Sequence, residues 1–307
     1  MGRRWRQLLA LAFAAVGLGV IAWIVTRTGF DAWRRALGEL LAWAPLLFAL
    51  EGARIGVDAW TTGLLYERSV RASRLVRATL GAYPVVLLAP AGRAGGEVLK
   101  AAVLASEVGR VRAASTAVLL SALPLLAHAV VSVPCVIAAY AVWGPTGLTG
   151  AIALQLGTAV ALGGFLLVAS RARQVGRLVE RLSVELGAET ERVQADLRAM
   201  GRLGWRAFGL QLVGRALLLL EIVLLAAAAG VPRGLVGGLL TAGVHFVGQA
   251  VGDVVPAQLG VVDGAWALAA SALNASAAAL AAAAITFHAV RLAWAALGSV
   301  AFVGMRR

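Results

Sequence analysis

Charge is scarce in this chain. Only 14% of its 307 residues are charged, against about 25% in a soluble domain. Acidic side chains are the scarcer kind, 15 Asp and Glu beside 28 Lys and Arg. No stretch is both long and polar enough to form a separate soluble domain. Cysteine is nearly missing. Cys135 stands alone in an apolar run, which excludes an internal disulfide and a thiolate metal site. No zinc-ligand spacing, phosphate-binding P-loop or nucleophile elbow occurs. The formal charge of +13 does not gather on one face of a soluble fold, as nucleic-acid binding requires. Neither metal, cofactor nor nucleic acid is therefore expected.

Apolar residues take the place of what is missing, at 61% of the chain. Runs long enough to cross a bilayer, about 20 residues, cover 8–25, 45–65, 113–142, 151–170, 207–229 and 277–303. The pattern predicts an integral, multi-spanning, all-α membrane protein. Arg3-Arg4-Trp5-Arg6 leads into the first run, and no small-residue cleavage site follows, so that run reads as an uncleaved span rather than a signal peptide.

Arginine placement orients the chain, because cytoplasmic loops collect positive charge. Arg3, Arg4 and Arg6, then Arg68, Arg71, Arg74 and Arg77, then Arg110 and Arg112, the arginines of 171–206, and Arg306 and Arg307 all fit on the cytoplasmic side. Arg27, Arg34, Arg35 and Arg233 remain outside. This works only if 78–109 and 235–274 each enter and leave the membrane on one side, as re-entrant hairpins of two short helices, the first opening inward and the second outward. About six full spans remain, with both termini cytoplasmic. Arginine, alanine and glycine are abundant, which suits a GC-rich bacterial genome and hence a bacterial cytoplasmic (inner) membrane. Apolar residues of 171–203 recur mostly at three- and four-residue steps beside arginines. That segment reads equally as an amphipathic helix on the inner leaflet and as a solvated connector.

The two hairpin tips are alike. Pro90-Ala91-Gly92-Arg93-Ala94-Gly95-Gly96-Glu97 and Pro256-Ala257-Gln258-Leu259-Gly260-Val261-Val262-Asp263 each run from Pro-Ala through glycine to a carboxylate seven residues after the proline. Glu51 and Glu221 lie in the spans before them. The chain thus reads as one transmembrane domain, 1–307, with pseudo-repeat halves 40–143 and 207–303 in opposite orientation. Inverted repeats with broken helices near the midplane mark transporters.

Ionisable groups inside apolar segments are costly, about 2.5–3.5 kcal/mol each on insertion scales, and are site candidates by default. Glu51, Arg54 and Asp58 share one helix face, as do Glu97 and Lys100, and His288 and Arg291. Arg54, Arg93, Lys100 and Arg291 suit a phosphate, which a guanidinium grips through two hydrogen bonds. Gly95 and Gly96, with Gly92, let backbone approach an anion, and a helix starting near Glu97 would aim its N-terminus there. Arg54, Arg93, Gly95, Gly96, Glu97, Lys100, Asp263 and Arg291 form the expected substrate site, with Glu51, Asp58, Glu221, Asp253 and His288 as further candidates. Arg93 and Arg291 are the expected partners of Glu97 and Asp263. The competing reading is a lock, in which the same charges only pair and hold the halves together. His128 and His245 read as satisfied core histidines.

The first tip, through Val98-Leu99-Lys100, resembles the P-x-R-x-G-E-x-x-K-like signature of the flippase-like membrane family, the lysylphosphatidylglycerol synthase transmembrane region. The second tip resembles that family's proline- and glycine-bearing signature ending in an acid and a glycine, Asp263-Gly264, with Asp where the family leads one to expect Glu. Arg291 resembles an arginine of its last span. The resemblance implies movement of a modified polar lipid between leaflets, such as an aminoacylated phosphatidylglycerol or a glycolipid. It also implies a lipid-synthesising enzyme as a candidate partner. The soluble acyltransferase-like domain of its bifunctional members is not found in these 307 residues. Transport is the leading expectation. The rivals are a membrane-embedded headgroup transferase with Glu97, Asp263 or His288 as general base, and a non-catalytic subunit of a lipid-synthesis system. A transporter would bring its two tips together. A transferase would cluster a base in a one-sided pocket, and a subunit would pair every charge and keep no cavity.

Overall fold

A computed structural model describes residues 30–89, 92–172, 184–253 and 255–305, with the single positions Gly19 and Thr26. The first apolar run is outside the described residues apart from Gly19, as are the terminal arginines and the first part of the 171–203 segment. Among the described residues all regular structure is helical: α1 (Phe30–Leu41), α2 (Ala44–Leu65), α3 (Ala72–Leu88), α4 (Gly92–Val108), α5 (Arg110–Trp143), α6 (Gly147–Arg171), α7 (Val184–Ala199), α8 (Gly201–Ala228), α9 (Leu235–Gly252), a 3-10 turn (Pro256–Gln258), α10 (Val261–Leu268) and α11 (Ala277–Met305).

The helix ends follow local chemistry. Pro45 occupies the first turn of α2, where its missing N–H costs nothing. Thr146 accepts the Thr149 N–H at 3.3 Å and caps α6. Gly109 and Gly144, both at positive φ, bound α5. Five helices, α5, α6, α8, α9 and α11, are long and apolar enough to cross a membrane, and α1 with α2 makes a sixth if the 61° bend between them lies within one span. The protein is a polytopic, all-α membrane protein.

Two elements depart from the sequence reading. Residues 45–65 do not stand as a straight span alone. Glu51, Arg54 and Asp58 interrupt the apolar run, and α2 qualifies only together with the bent α1, a helix that arginine placement did not suggest. The two hairpins are also unequal. The first has arms of 17 residues each, α3 and α4. The second pairs the 18-residue α9 with an eight-residue α10. At 1.5 Å per residue α9 extends about 27 Å, close to the ~30 Å hydrocarbon core. By length and composition alone α9 could cross, whereas its return helix α10 is far too short to.

Packing joins α2 to α8, α3 to both α4 and α11, α4 to α5, α5 to α6, and α9 to α10. The largest core draws on α5, α8, α9, α10 and α11, with Phe246, Ile222 and Trp266 fully buried. A smaller cluster sets Ala257 and Leu259, from the second tip, against Tyr83 and Leu87 at the end of α3, beside the first tip. At the opposite end of that hairpin, Arg74 pairs with Glu107 at 2.9 Å. Arg112 there bridges Glu67 and Asp196, the latter at 2.9 Å. The ends of α2 and α4, the starts of α3 and α5, and α7 therefore share one polar end. Over its described part α7 turns apolar residues inward: Leu197, with the neighbouring Met200, is buried against α5 and α8.

Candidate functional site

The site grows from one face of α2. Glu51 is wholly buried, and its carboxylate accepts Arg54 Nε at 2.6 Å, a second Arg54 nitrogen and the Tyr83 hydroxyl. Arg291 Nε, from α11, lies 4.0 Å from the same carboxylate. One turn beyond Arg54 on α2, Asp58 leaves its own helix for a partner. Lys100 Nζ donates to it at 2.9 Å and lies 2.9 Å from Glu97. Gln211 of α8 reaches the other Asp58 oxygen at 3.4 Å. Two carboxylates thus share one ammonium between α2, α4 and α8.

Arg93, in the first turn of α4, and Arg215, on α8, complete the surroundings. Neither has an ion pair or hydrogen bond among the described residues, and Arg93 Nε is buried without a partner. These groups, with Arg54, Asp58, Thr79, Tyr83, Glu97 and Lys100, line a cavity of about 50 Å³, room for roughly three or four waters. Glu51 offsets Arg54, and Asp58 and Glu97 are met by a single Lys100. With Arg93 and Arg215 added, Arg54, Lys100, Arg93 and Arg215 stand against Glu51, Asp58 and Glu97, a surplus of one cation around the cavity. Buried charge without a counter-charge is strongly disfavoured, so the arrangement favours an anion in the cavity.

Asp263 and His288 lie elsewhere. Asp263 accepts the Gly260 N–H at 2.7 Å, holding the start of α10. His288 Nε2 stands 3.5 Å away. Both are buried. Lys100 makes the ion pair with Glu97, with Arg93 near it but not paired, and His288, not Arg291, stands nearest Asp263, without a hydrogen bond between them. Distance along the chain hid the second of these, since it is set by which helices pack together. Arg291 instead lies over the Phe287 ring, 5.2 Å from its centroid, and links towards Glu51.

Of the expected substrate residues, Arg54, Arg93, Glu97 and Lys100 come together with Asp58. Gly95 and Gly96 do not line the cavity. A Cβ on Gly96 would meet Val86 at 2.3 Å, so that glycine serves the close approach of α4 to α3, whereas one on Gly95 would make an ordinary contact with Val85 at 3.4 Å. The helix starts at Gly92 rather than near Glu97, so the first-turn N–H groups belong to 92–95. Glu221 is buried on α8 with one oxygen unpartnered. Asp253 is exposed and accepts Gln258 at 2.9 Å. His245 is fully buried between the rings of Phe246, Trp266 and Phe287 with both ring nitrogens unpartnered. His128 packs on Phe246 with Nδ1 unpartnered. The two histidines are thus held by ring contacts more than by hydrogen bonds. Tyr83, Gln211 and Arg215 join the cavity without having been singled out as site residues. Their signal was present for α8, where Gln211 and Arg215 are four residues apart in an apolar run and so share a helix face.

No characterised protein matches the chain, and no solved structure does. A family profile does, and it runs from residue 7 to residue 298, through both tips and the whole lining of the cavity. By that match the chain belongs to the family described as the Lysylphosphatidylglycerol synthase TM region.

Proposed function

We propose that the protein moves a phosphate-bearing polar lipid between membrane leaflets, with Arg93 and Arg215 receiving the phosphate. The observation that carries this reading is the surplus of cation around a cavity enclosed by membrane helices. A lock would close its charges into ion pairs, whereas Arg93 and Arg215 make none among the described residues, though Asp58 and Glu97 lie near Arg93. Ala257 and Leu259 of the second tip pack with Leu87 at the end of α3, which supports an arrangement in which a headgroup passes between two hairpins. Arg54, fixed by Glu51 and Tyr83, frames the cavity. Glu97 and Asp58 balance Lys100 and meet any cationic part of the headgroup. On this reading 78–109 and 235–274 are re-entrant, and the halves 40–143 and 207–303 form an inverted pair within one domain. Both termini face the cytoplasm of a bacterial inner membrane, where a lipid-synthesising enzyme supplies the substrate. A transferase would need a general base at the cavity. Glu97 lines it but is tied to Lys100, and His288, 3.5 Å from Asp263, does not line it.

The test is direct. Protein reconstituted into vesicles should speed the loss of fluorescence when dithionite bleaches headgroup-labelled phosphatidylglycerol, by exposing inner-leaflet probe. Arg93→Gln and Arg215→Gln should each slow that loss while the protein still inserts. Bleaching no faster than in protein-free vesicles would remove the transport reading. Lipid mass spectrometry of the purified protein would name the headgroup it retains.

A further inference from the structure

A second, larger cavity lies between α5, α6 and α8. It encloses about 410 Å³, and every side chain around it is apolar, among them Leu123, Val130, Val160 and Phe208. Its lining extends along α5 from Leu119 to Val133, about 21 Å at 1.5 Å per residue. That is longer than one leaflet's half, about 15 Å, of the hydrocarbon core.

Two observations say what this groove is shaped for. The first concerns glycine. At Gly96 and Gly298 an added Cβ would strike a neighbouring helix, but at Gly201 and Gly204, which line the groove, it would meet nothing within 4 Å. Gly201 and Gly204 therefore do not serve helix contact; they leave space. The second concerns register. Gly201, Gly204 and Phe208 line the apolar groove, and Gln211 and Arg215 line the charged cavity. Their spacing of three, four, three and four residues sets all five on one face of α8. From Phe208 to Arg215 the helix rises about 10 Å. One helix face thus passes from an apolar trough to an unpaired guanidinium, the profile of an amphiphile with an anionic head.

We infer that the groove between α5, α6 and α8 holds an acyl chain of the phospholipid whose phosphate lies at Arg215. The inference rests on the reading of the charged cavity as a phospholipid headgroup site, and it adds that the protein grips the tail as well. The occupant is one anionic phospholipid with its head on one part of α8 and a chain on the other, not a passing bilayer lipid.

A phosphatidylglycerol with a photoreactive diazirine in mid-chain, diluted into phosphatidylcholine vesicles with the full-length protein, provides the test. After irradiation, peptide mapping should find insertion into 119–133, 156–167 and 201–208 several-fold above that into Val300 and Val303, exposed positions of α11 that report ordinary bilayer lipid. Gly204→Trp, whose side chain has open space to enter, should abolish the excess and leave the α11 signal unchanged. Should that variant fail to fold, Gly201→Leu makes the same test. Arg215→Gln should also reduce the excess, because head and tail belong to one molecule. Labelling equal to that of α11, or excess labelling that survives Gly204→Trp, would overturn the groove. Excess labelling that survives Arg215→Gln would overturn the link between head and tail. Labelling as expected in vesicles that show no accelerated bleaching would keep this inference and remove only the transport.

Discussion

Lys100 is the residue on which the charged cavity turns. It is buried between Asp58 and Glu97 at 2.9 Å from each, and without it a buried carboxylate and a half-buried one would face each other. Removing one partner of a buried ion pair costs about 3–5 kcal/mol. Lys100→Met should therefore lower the thermal transition in detergent markedly. Asp58→Asn, which keeps the Glu97–Lys100 pair and leaves Gln211 a hydrogen-bonding neighbour, should lower it much less. Equal losses would mean that Asp58, not Glu97, carries the pairing. The sequence made the shared face of Glu51, Arg54 and Asp58 legible, because it needs only helical spacing. It could not show that Asp58 turns from Arg54 to a lysine 42 residues away, since that exchange depends on how α2 and α4 pack. Arg215 was legible as a charge in an apolar run, but its lack of a partner became visible only once its neighbours were in place.

Among the elements, α3 and α11 approach each other backbone to backbone. Pro84 lies inside α3 and so cannot donate to the Leu80 carbonyl. Gly298 of α11 is set against that carbonyl, where an added Cβ would come within 2.1 Å of the oxygen and 3.0 Å of the Pro84 ring. Small residues at such crossings let membrane helices pack backbone to backbone. Gly298→Ala must push the helices apart and should cost about 1–3 kcal/mol, as overpacking does. A melting temperature within error of the wild type would show that α11 can slide to absorb the methyl. Neither the proline nor the glycine announced this contact in the sequence, where they stand more than 200 residues apart. The proline at each hairpin tip was more telling. The first hairpin formed close to its expected bounds. In the second, Ala257 and Gln258 both take positive φ, and the return helix is short. Pattern marked the break in the chain but not the lengths of helix on either side of it.

For the molecule as a whole, the ties at its polar end bear on topology. Arg74 with Glu107, and Arg112 with Glu67 and Asp196, hold the ends of the first hairpin beside the start of α5. Single cysteines at Ser73, Gly109 and Val111, introduced after Cys135 is replaced, should therefore all react with a membrane-impermeant reagent from the cytoplasmic side. Reaction of positions 73 and 109 from opposite sides would end the re-entrant reading of 78–109. The unpaired arginines of the cavity have an electrical consequence. Arg93 and Arg215 are anchored to helices, so they steady a phosphate without travelling with it, and the charge that crosses the membrane is the lipid's own. Each elementary charge moved through the full membrane potential is worth about 2.3 kcal/mol per 100 mV. An inside-negative potential would then drive a monoanionic phospholipid outward and hold back one whose headgroup carries a net positive charge, so the voltage dependence of bleaching in vesicles would report the sign of the cargo.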